Sequence, residues 1–245
     1  MASEPAESPI KKARTLIEAD EASWTEARVE LLKAEKAAAR ANAELALTRA
    51  KLPWLKLSTD YQFVGCDGSS KPMSCLFDSD DDELIVYHLM MDDCDKRPCS
   101  LCCFFVDQLD GVSMHLPQNV KVIVVAKAGA EALAKVVETK GWKIPVLSTG
   151  SSTFGEDMGV SFTKEQMEAK ACPYNYTQNF AWGSQAPGLS VFRRHEGDLF
   201  KTYATFSAGL ANVSLVHSLL DLTTTGRNEA KPKHNMWWVK HKEDL

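Results

Sequence analysis

The sequence predicts an α/β fold in which a central mixed sheet is flanked by helices and preceded by a long helical arm. In the middle of the chain, strand patterns alternate with helical stretches, which favours parallel strands joined by crossover helices. A hairpin pattern and a last helix follow them. With 245 residues, 44% of them hydrophobic and 25% charged, the chain can bury a full core without disulfide bonds.

The helical arm is expected over residues 23–52, after a disordered tail over 1–22 that is rich in Ala, Glu, Lys and Ser. Ser23 and Glu26 fit a capping box, and Pro53 ends the helix. Small or apolar residues recur at alternating steps of three and four, as in a coiled-coil seam: Trp24, Ala27, Leu31, Ala34, Ala38, Ala41, Leu45, Thr48 and Leu52. The arm either pairs with a second copy in a homodimer or lies as an amphipathic helix on its own domain.

Two apolar, β-branched segments predict strands that are buried on both faces, at 84–90 and 121–126. A helical stretch follows over 130–139. A further strand is predicted over 142–147, where Pro145 favours a position at the sheet edge. This order of strand, helix, strand, helix and strand indicates a parallel sheet covered by helices.

The remaining pattern changes to an antiparallel hairpin built from 189–192 and 200–203, followed by a helix over 211–220. A parallel sheet that gains a hairpin and ends with a helix has the thioredoxin order of elements. We therefore expect one thioredoxin-like domain over 53–245. Residues 148–186 form an insertion before the hairpin, long enough to act as a lid or a pocket wall.

Four of the seven cysteines lie between positions 94 and 103. The segment Cys99-Ser100-Leu101-Cys102 follows a predicted buried strand and opens a predicted helix. Backbone N–H groups at a helix N-terminus stabilise a negative charge, so a thiol placed there loses its proton more easily. Cys99 is therefore the predicted nucleophile, and Cys102, one helical turn later, is placed to close the disulfide.

Two other interpretations of the cysteine cluster stay open. Its thiols, with His88, have the ligand types of a tetrahedral zinc site: Cys94, Cys99, Cys102 and Cys103. They could equally be inert, packed side chains. Because no second Cys-x-x-Cys completes a standard structural site, we assign no metal and no cofactor, and a metal or heme protein remains an alternative.

Three more residues are candidates for the site. Pro187 precedes a strand where thioredoxin folds carry a cis-proline facing the dithiol, although a plain turn proline fits too. His88 lies in a buried strand near the dithiol and either assists proton transfer or is a satisfied core histidine. Asp107 lies one turn beyond Cys103 and is a candidate substrate-binding acid, a cap or a surface charge.

The insertion is rich in aromatic residues: Tyr174, Tyr176, Phe180 and Trp182. Tyr176 and Trp182 are taken as substrate-binding residues that wall a pocket. Such a pocket supports a second hypothesis, in which the protein binds or tailors a small apolar ligand and its cysteines have no redox part.

Charge and hydropathy narrow the expected partners. The net charge of −5 and the lack of a basic stripe argue against nucleic acid. No apolar run approaches the roughly 18 to 20 residues that span a bilayer, and the N-terminus has no signal core. An odd number of cysteines, seven, suits reduced thiols. We expect a cytoplasmic protein that acts on a small molecule or a thiol or disulfide substrate.

The segments that carry a family resemblance are 84–90, the cysteine helix to Asp110-Gly111, 187–192, and Asp221-Leu222-Thr223 before Gly226-Arg227. Together they resemble the DUF899 family, from about residue 24 to the end. The resemblance implies a thioredoxin-like fold and a dithiol–disulfide oxidoreductase.

Family members typically have Cys-Pro-Gly-Cys, whereas this chain has Ser100-Leu101 at the centre and an additional Cys103. The middle residues tune thiol acidity and reduction potential, so the direction of reaction stays open. The loop over 91–98 could cover the dithiol. The leading prediction is therefore an oxidoreductase specialised for one small substrate.

Overall fold

A computed structural model describes residues 17–95, 97–178, 183–227 and 236–245. Its strands are β1 (Leu55–Lys56), β2 (Gln62–Gly65), β3 (Ser70–Pro72), β4 (Glu83–His88), β5 (Val120–Ala126), β6 (Val146–Ser148), β7 (Pro173–Tyr174), β8 (Thr177–Gln178), β9 (Gly188–His195) and β10 (Asp198–Phe206). Its α-helices are α1 (Glu21–Arg49), α2 (Ser100–Ser113), α3 (Ala130–Lys140), α4 (Phe154–Asp157), α5 (Lys164–Glu168) and α6 (Leu215–Leu222). Short 3₁₀ helices span Met73–Leu76, Ser207–Val213 and Lys242–Asp244.

The main sheet has eight strands in the order β1–β10–β9–β4–β5–β6–β2–β3. β4, β5 and β6 are parallel and are connected through α2 and α3. The β9–β10 hairpin adds to the other side of β4 in the antiparallel sense. The thioredoxin-like fold predicted from the order of elements is confirmed.

Alternation along β4 divides the core into two clusters, one on each face of the sheet. Tyr87 packs in the cluster that contains Cys102 and the buried side of α2. Leu84 and Val86 pack in the other cluster, with Phe154 from the insertion. Because both faces are covered, β4 shows no polar–apolar alternation in its sequence.

The helical arm begins earlier than predicted, because Asp20 and not Ser23 caps α1. The Asp20 carboxylate accepts the backbone N–H of Ser23 at 2.8 Å. The capping box starting at Ser23 was therefore wrong: an acidic side chain one turn upstream already satisfies that N–H. The helix ends at Arg49, short of the predicted residue 52.

No residue of α1 is buried. Leu31 and Leu45 of the heptad seam are 51% and 44% exposed, so the arm does not pack as an amphipathic helix on its own domain. The guanidinium of Arg49 lies 5.6 Å from the ring centroid of Tyr203. Pairing with a second copy stays a prediction. Neither α1 nor any other helix in the described ranges is both long and apolar enough to cross a bilayer.

The strand predicted at the sheet edge is in fact internal. β6 lies between β5 and β2, with Ser148 opposite Val64. The edge placement was wrong because β2, from far earlier in the chain, adds to its outer side. Pro145 precedes the strand, and its carbonyl accepts the N–H of Val124 at 2.9 Å, so its missing N–H costs the ladder nothing.

The insertion contains α4, α5 and the β7–β8 hairpin. Its last segment, 184–186, runs beside 160–162: the N–H of Phe162 donates to Ser184, and the N–H of Ala186 donates to Val160. The final helix begins at Leu215, later than predicted, because the 3₁₀ turns of Ser207–Val213 precede it.

Candidate active site

The dithiol lies where the chain turns from β4 into α2. Cys99 is the N-cap of α2, and its N–H donates to the carbonyl of Met90 at 3.0 Å. The Cys99 carbonyl accepts the N–H of Cys103 at 3.0 Å and so starts the helix. Cys99 is half-buried, whereas Cys102 and Cys103 are buried, and all seven cysteines are free. The predicted strand-to-helix placement of the dithiol is thus what the structure shows.

The surroundings of Cys99 favour its thiolate. The Cys102 thiol, followed by the backbone N–H groups of Cys102 and Leu101, lowers the pKa of Cys99 to about 6. Partial burial and the charge of Asp95 act in the opposite direction. At neutral pH the Cys99 sulfur is therefore mostly ionised, the form that attacks disulfides.

Cys102 has the opposite character. Its interaction with the Cys99 sulfur and its complete burial hold the pKa of Cys102 well above the ordinary value. The backbone N–H of Met90 and the hydroxyl of Tyr87 act in the other direction. The two sulfurs of the Cys-x-x-Cys segment are thus a thiolate and a neutral thiol at neutral pH.

Tyr87 is a residue of this site that the sequence did not indicate as functional. Its side chain is fully buried, and its ring stacks on Phe105 with centroids 6.0 Å apart. Its hydroxyl faces the Cys102 sulfur, but no described residue gives it a hydrogen bond of good geometry. A tyrosine inside a strand buried on both faces needs a partner for its hydroxyl, and that need was the available signal.

Cys103, the residue after Cys102 in α2, is buried too. Burial raises its pKa to about 12, despite the nearby charge of Lys140. A thiol with such a high pKa is not a nucleophile near neutral pH.

His88 lies on the face of the sheet opposite to the dithiol. Its ring contacts Phe154 in the second cluster, and its Nε2 lies 2.9 Å from the Ser190 hydroxyl. Burial, followed by the charge of Lys201, lowers its pKa to about 3, so the ring is neutral. The structure therefore makes His88 a satisfied core histidine and not a proton donor to the cysteines. Successive residues of a strand point to opposite faces, and Tyr87 takes the position facing α2.

The proposed zinc ligands are consequently not brought together, because His88 is separated from the cysteines by the sheet. Within the described ranges, no group of three or more His, Cys, Asp or Glu side chains is arranged to hold a metal ion.

Asp107 is engaged in a structural contact. Its Oδ1 accepts the indole N–H of buried Trp142 at 2.6 Å, which ties α2 to the end of α3. This contact gives Asp107 a structural role, and its role in substrate binding stays a prediction.

Pro187 lies at the predicted end of the sheet but not in the predicted conformation. It precedes Gly188, which pairs with His88, and its carbonyl accepts the Tyr174 hydroxyl at 2.7 Å. The described residues contain no cis peptide bond, so the expected cis-proline is wrong. The preceding segment 184–186 is extended beside 160–162, a geometry that a trans bond continues.

A cleft of about 540 Å³ lies beside the dithiol loop and is lined by Met91, Pro98, α3 and the C-terminal segment. Lys140, only 2% exposed, donates to Glu243 at 2.7 Å, with His241 Nδ1 at 2.8 Å. Arg97 bonds Glu243 at 3.1 Å and Asp244 at 3.0 Å. This C-terminal clamp, defined as Arg97, Lys140, Glu243 and Asp244, was not predicted from the sequence.

Tyr176 lies at a different cleft. That cleft, of about 470 Å³, is also lined by Asp157, Lys201 and Phe206. The Tyr176 ring packs against Phe206. Phe206 belongs to the core cluster on the His88 side of the sheet, whereas Cys102 belongs to the cluster on the other face. Trp182 lies outside the described residues. Tyr176 is therefore not at the dithiol. Tyr174, the other described aromatic residue of the predicted wall, lies nearer to it: burial and the charge of Cys102 raise the pKa of Tyr174 to about 12.

Comparison with known proteins places the chain in a family. The family described as "Bacterial protein of unknown function (DUF899)" matches residues 14–244. The chain belongs to the DUF899 family. None of the curated proteins matches this DUF899 chain.

Among solved structures, the DUF899 chain is similar to a cysteine-to-serine mutant of PrxQ from Xylella fastidiosa, with a TM-score of 0.47 and 10% identity over 69% of this chain and 94% of that one. It is also similar to a peroxiredoxin-like protein of Aquifex aeolicus, with a TM-score of 0.42 and 15% identity over 63% and 76%. The peroxidoxin BcpB of Mycobacterium tuberculosis gives a TM-score of 0.42 and 12% identity over 65% and 90%.

Proposed function

We propose that this protein is a thiol–disulfide oxidoreductase that reduces a small disulfide through Cys99 and Cys102. The observation that carries the proposal is the contrast between these two sulfurs. Cys99 caps α2, is partly accessible and has a pKa near 6, whereas Cys102 lies one turn later, buried and protonated. One sulfur is ready to attack and the other is held back, as a two-step exchange requires.

In the first step the Cys99 thiolate attacks one sulfur of a substrate disulfide, R–S–S–R′. The S–S bond breaks, and R′S⁻ leaves and takes a proton from solvent. In the second step Cys102 loses its proton and attacks the Cys99 sulfur, which breaks the bond to R. RS⁻ leaves and takes up a proton. Two electrons have passed to the substrate, and an external thiol reductant restores the dithiol.

The cleft beside the dithiol supports a small substrate. Its volume of about 540 Å³ lies in the range of small-molecule sites. Pro98, directly before Cys99, lines this cleft together with Met91. Met90, next to Met91, accepts the N–H of Cys99 with its carbonyl. A molecule bound in this cleft lies next to the loop that carries the nucleophile.

The test is mass spectrometry after reduced protein is mixed with a small aliphatic disulfide such as hydroxyethyl disulfide. Wild type should end two hydrogens lighter, with Cys99 linked to Cys102. Cys102→Ser should stop as a mixed disulfide on Cys99, and Cys99→Ser should form neither product.

Cys103→Ser is the matched control, because Cys103 adjoins Cys102 but is a buried thiol with a high pKa. It should behave as wild type. A wild-type protein that forms no Cys99–Cys102 disulfide, or adducts confined to other cysteines, would contradict the proposal. If the protein consumed a peroxide and reacted with no disulfide, its oxidising substrate would be a peroxide, and this result would also contradict the proposal.

A further inference from the structure

The buried hydroxyl of Tyr87 is an exception to the rule that buried polar groups are paired. The atom is inaccessible to solvent, and the described residues offer it no hydrogen bond of good geometry. Nearly all buried hydroxyls in proteins have a well-aligned partner, so a hydroxyl without one calls for an explanation. Phenylalanine would fill the same place against Phe105 without leaving a polar atom unpaired.

The hydroxyl is directed at the sulfur that must change its charge during the proposed reaction. Tyr87 lies on the face of β4 that packs against α2, in the same core cluster as Cys102. A neutral thiol is a weak acceptor, which explains why the hydroxyl is poorly satisfied in the dithiol state. A thiolate at the same place would accept a charge-assisted hydrogen bond, which is roughly twice as strong as a neutral one.

We propose that Tyr87 is a catalytic residue that donates a hydrogen bond to the Cys102 thiolate when Cys102 attacks the mixed disulfide. The inference rests on the proposed function and concerns its second step. Cys102 first loses its proton. The electron pair of its thiolate then forms the new S–S bond with Cys99, the bond from Cys99 to R breaks, and RS⁻ leaves and takes up a proton. Tyr87 keeps its own proton throughout, since burial holds the pKa of its hydroxyl well above the ordinary value.

Apart from the backbone N–H of Met90, the other groups around Cys102 leave this role to Tyr87. The backbone N–H of Met90 also stabilises the Cys102 thiolate. The Cys99 sulfur is bonded to R at this stage and has no proton to donate. Cys103 on α2 is a buried neutral thiol. The Tyr174 hydroxyl, from β7, donates to the Pro187 carbonyl and accepts the N–H of Ser207.

The experiment is a stopped-flow reaction of the reduced protein with one equivalent of dithiobis(nitrobenzoate), in a chain whose exposed Cys75 and Cys94 are serine. Each turnover releases two coloured thiolates, the first when Cys99 attacks and the second when Cys102 resolves. In Tyr87→Phe the first release should keep its rate, and the second should slow by roughly tenfold or more, with its pH profile moved to higher pH. Tyr61→Phe, a buried tyrosine in the other cluster, should change neither release.

Equal second-release rates in wild type and Tyr87→Phe would overturn the role of Tyr87 while leaving the proposed function intact. A wild-type protein without a first release would overturn the proposed function and this inference with it. A second measurement uses the ultraviolet absorbance of the Cys102 thiolate in Cys99→Ser. Adding Tyr87→Phe should raise the pKa of Cys102, and an unchanged pKa would contradict the inference.

Discussion

The imidazole of His88, at the end of β4, and the thiol of Cys102, in the helix that follows, lie on opposite faces of the central sheet. Tyr87, the neighbour of His88 in sequence, is the side chain that reaches the dithiol. Tyr87 and His88, adjacent residues of β4, therefore pack in different core clusters. The pH response of the protein follows from this separation.

His88 should govern acid stability and not thiol reactivity. The ring is neutral when folded, with a pKa of about 3, and takes up a proton near pH 6.5 when unfolded. The unfolded state binds more protons between these values, so stability falls as the pH drops from about 6.5 towards 3, by up to about 1.4 kcal/mol per pH unit. Urea denaturation of His88→Gln should show a shallower fall. Slower alkylation of Cys99 in the same variant would instead link His88 to the dithiol.

The alkylation rate of Cys99 should follow its ionisation. With the pKa lowered to about 6, reaction with iodoacetamide should rise through a midpoint near pH 6, as followed by peptide mass spectrometry. Cys103, with a pKa of about 12, should remain unmodified across the same range. A midpoint near the ordinary cysteine value would remove the basis for Cys99 as nucleophile.

The charge of Asp95 should restrain that ionisation. Because Asp95 raises the pKa of Cys99, Asp95→Asn should move the alkylation midpoint to lower pH while keeping an acceptor for the N–H of Asp92. Asp80→Asn, beyond the other end of β4, is the control and should leave the midpoint in place. A shift to higher pH in Asp95→Asn would mean that the charge of Asp95 does not raise the pKa of Cys99.

Asp107→Ala should reduce stability without touching the redox chemistry. The substitution leaves the indole N–H of Trp142 buried without its acceptor, at a cost of about 1–3 kcal/mol in the free energy of unfolding. Glu138→Ala, at an exposed position of α3, should change stability by less than about 0.5 kcal/mol. If Asp107→Ala weakened substrate reduction at unchanged stability, the carboxylate would belong to a substrate site after all.

The C-terminal clamp should contribute measurably to stability. In Glu243→Gln the buried ammonium of Lys140 loses its ionised acceptor, so urea denaturation should show a loss of about 1–3 kcal/mol. The exposed pair of Glu131 with Lys135 offers a matched control, where Glu131→Gln should cost no more than about 0.5 kcal/mol. Equal losses in the two variants would mean that burial of Lys140 adds nothing.

The sequence was sufficient to predict those elements whose signals lie within a short stretch of the chain. The position of Cys99 at a strand-to-helix junction follows from apolar patterning and from the segment after it. The orientation of His88 could not be predicted in the same way, because β4 is buried on both faces and lacks the alternation that would assign each side chain to a face.

Non-local contacts account for the other differences between the sequence predictions and the structure. β6 is internal because of its pairing with β2, about eighty residues earlier, and no feature of 142–147 encodes that partner. The buried ammonium of Lys140 meets Glu243 and His241 from the C-terminal segment, about a hundred residues later. Such contacts depend on tertiary packing, which propensities and spacing do not contain.

The C-terminal clamp has a practical consequence for handling the protein. Arg97 is two residues from the nucleophilic Cys99, and its guanidinium is held by Glu243 and Asp244. An affinity tag fused next to Glu243 and Asp244 changes the surroundings of the residues that hold this loop, so thiol reactivities should be compared between tagged and untagged protein. A tag ahead of α1, where no helical side chain is buried, is the better choice for such measurements.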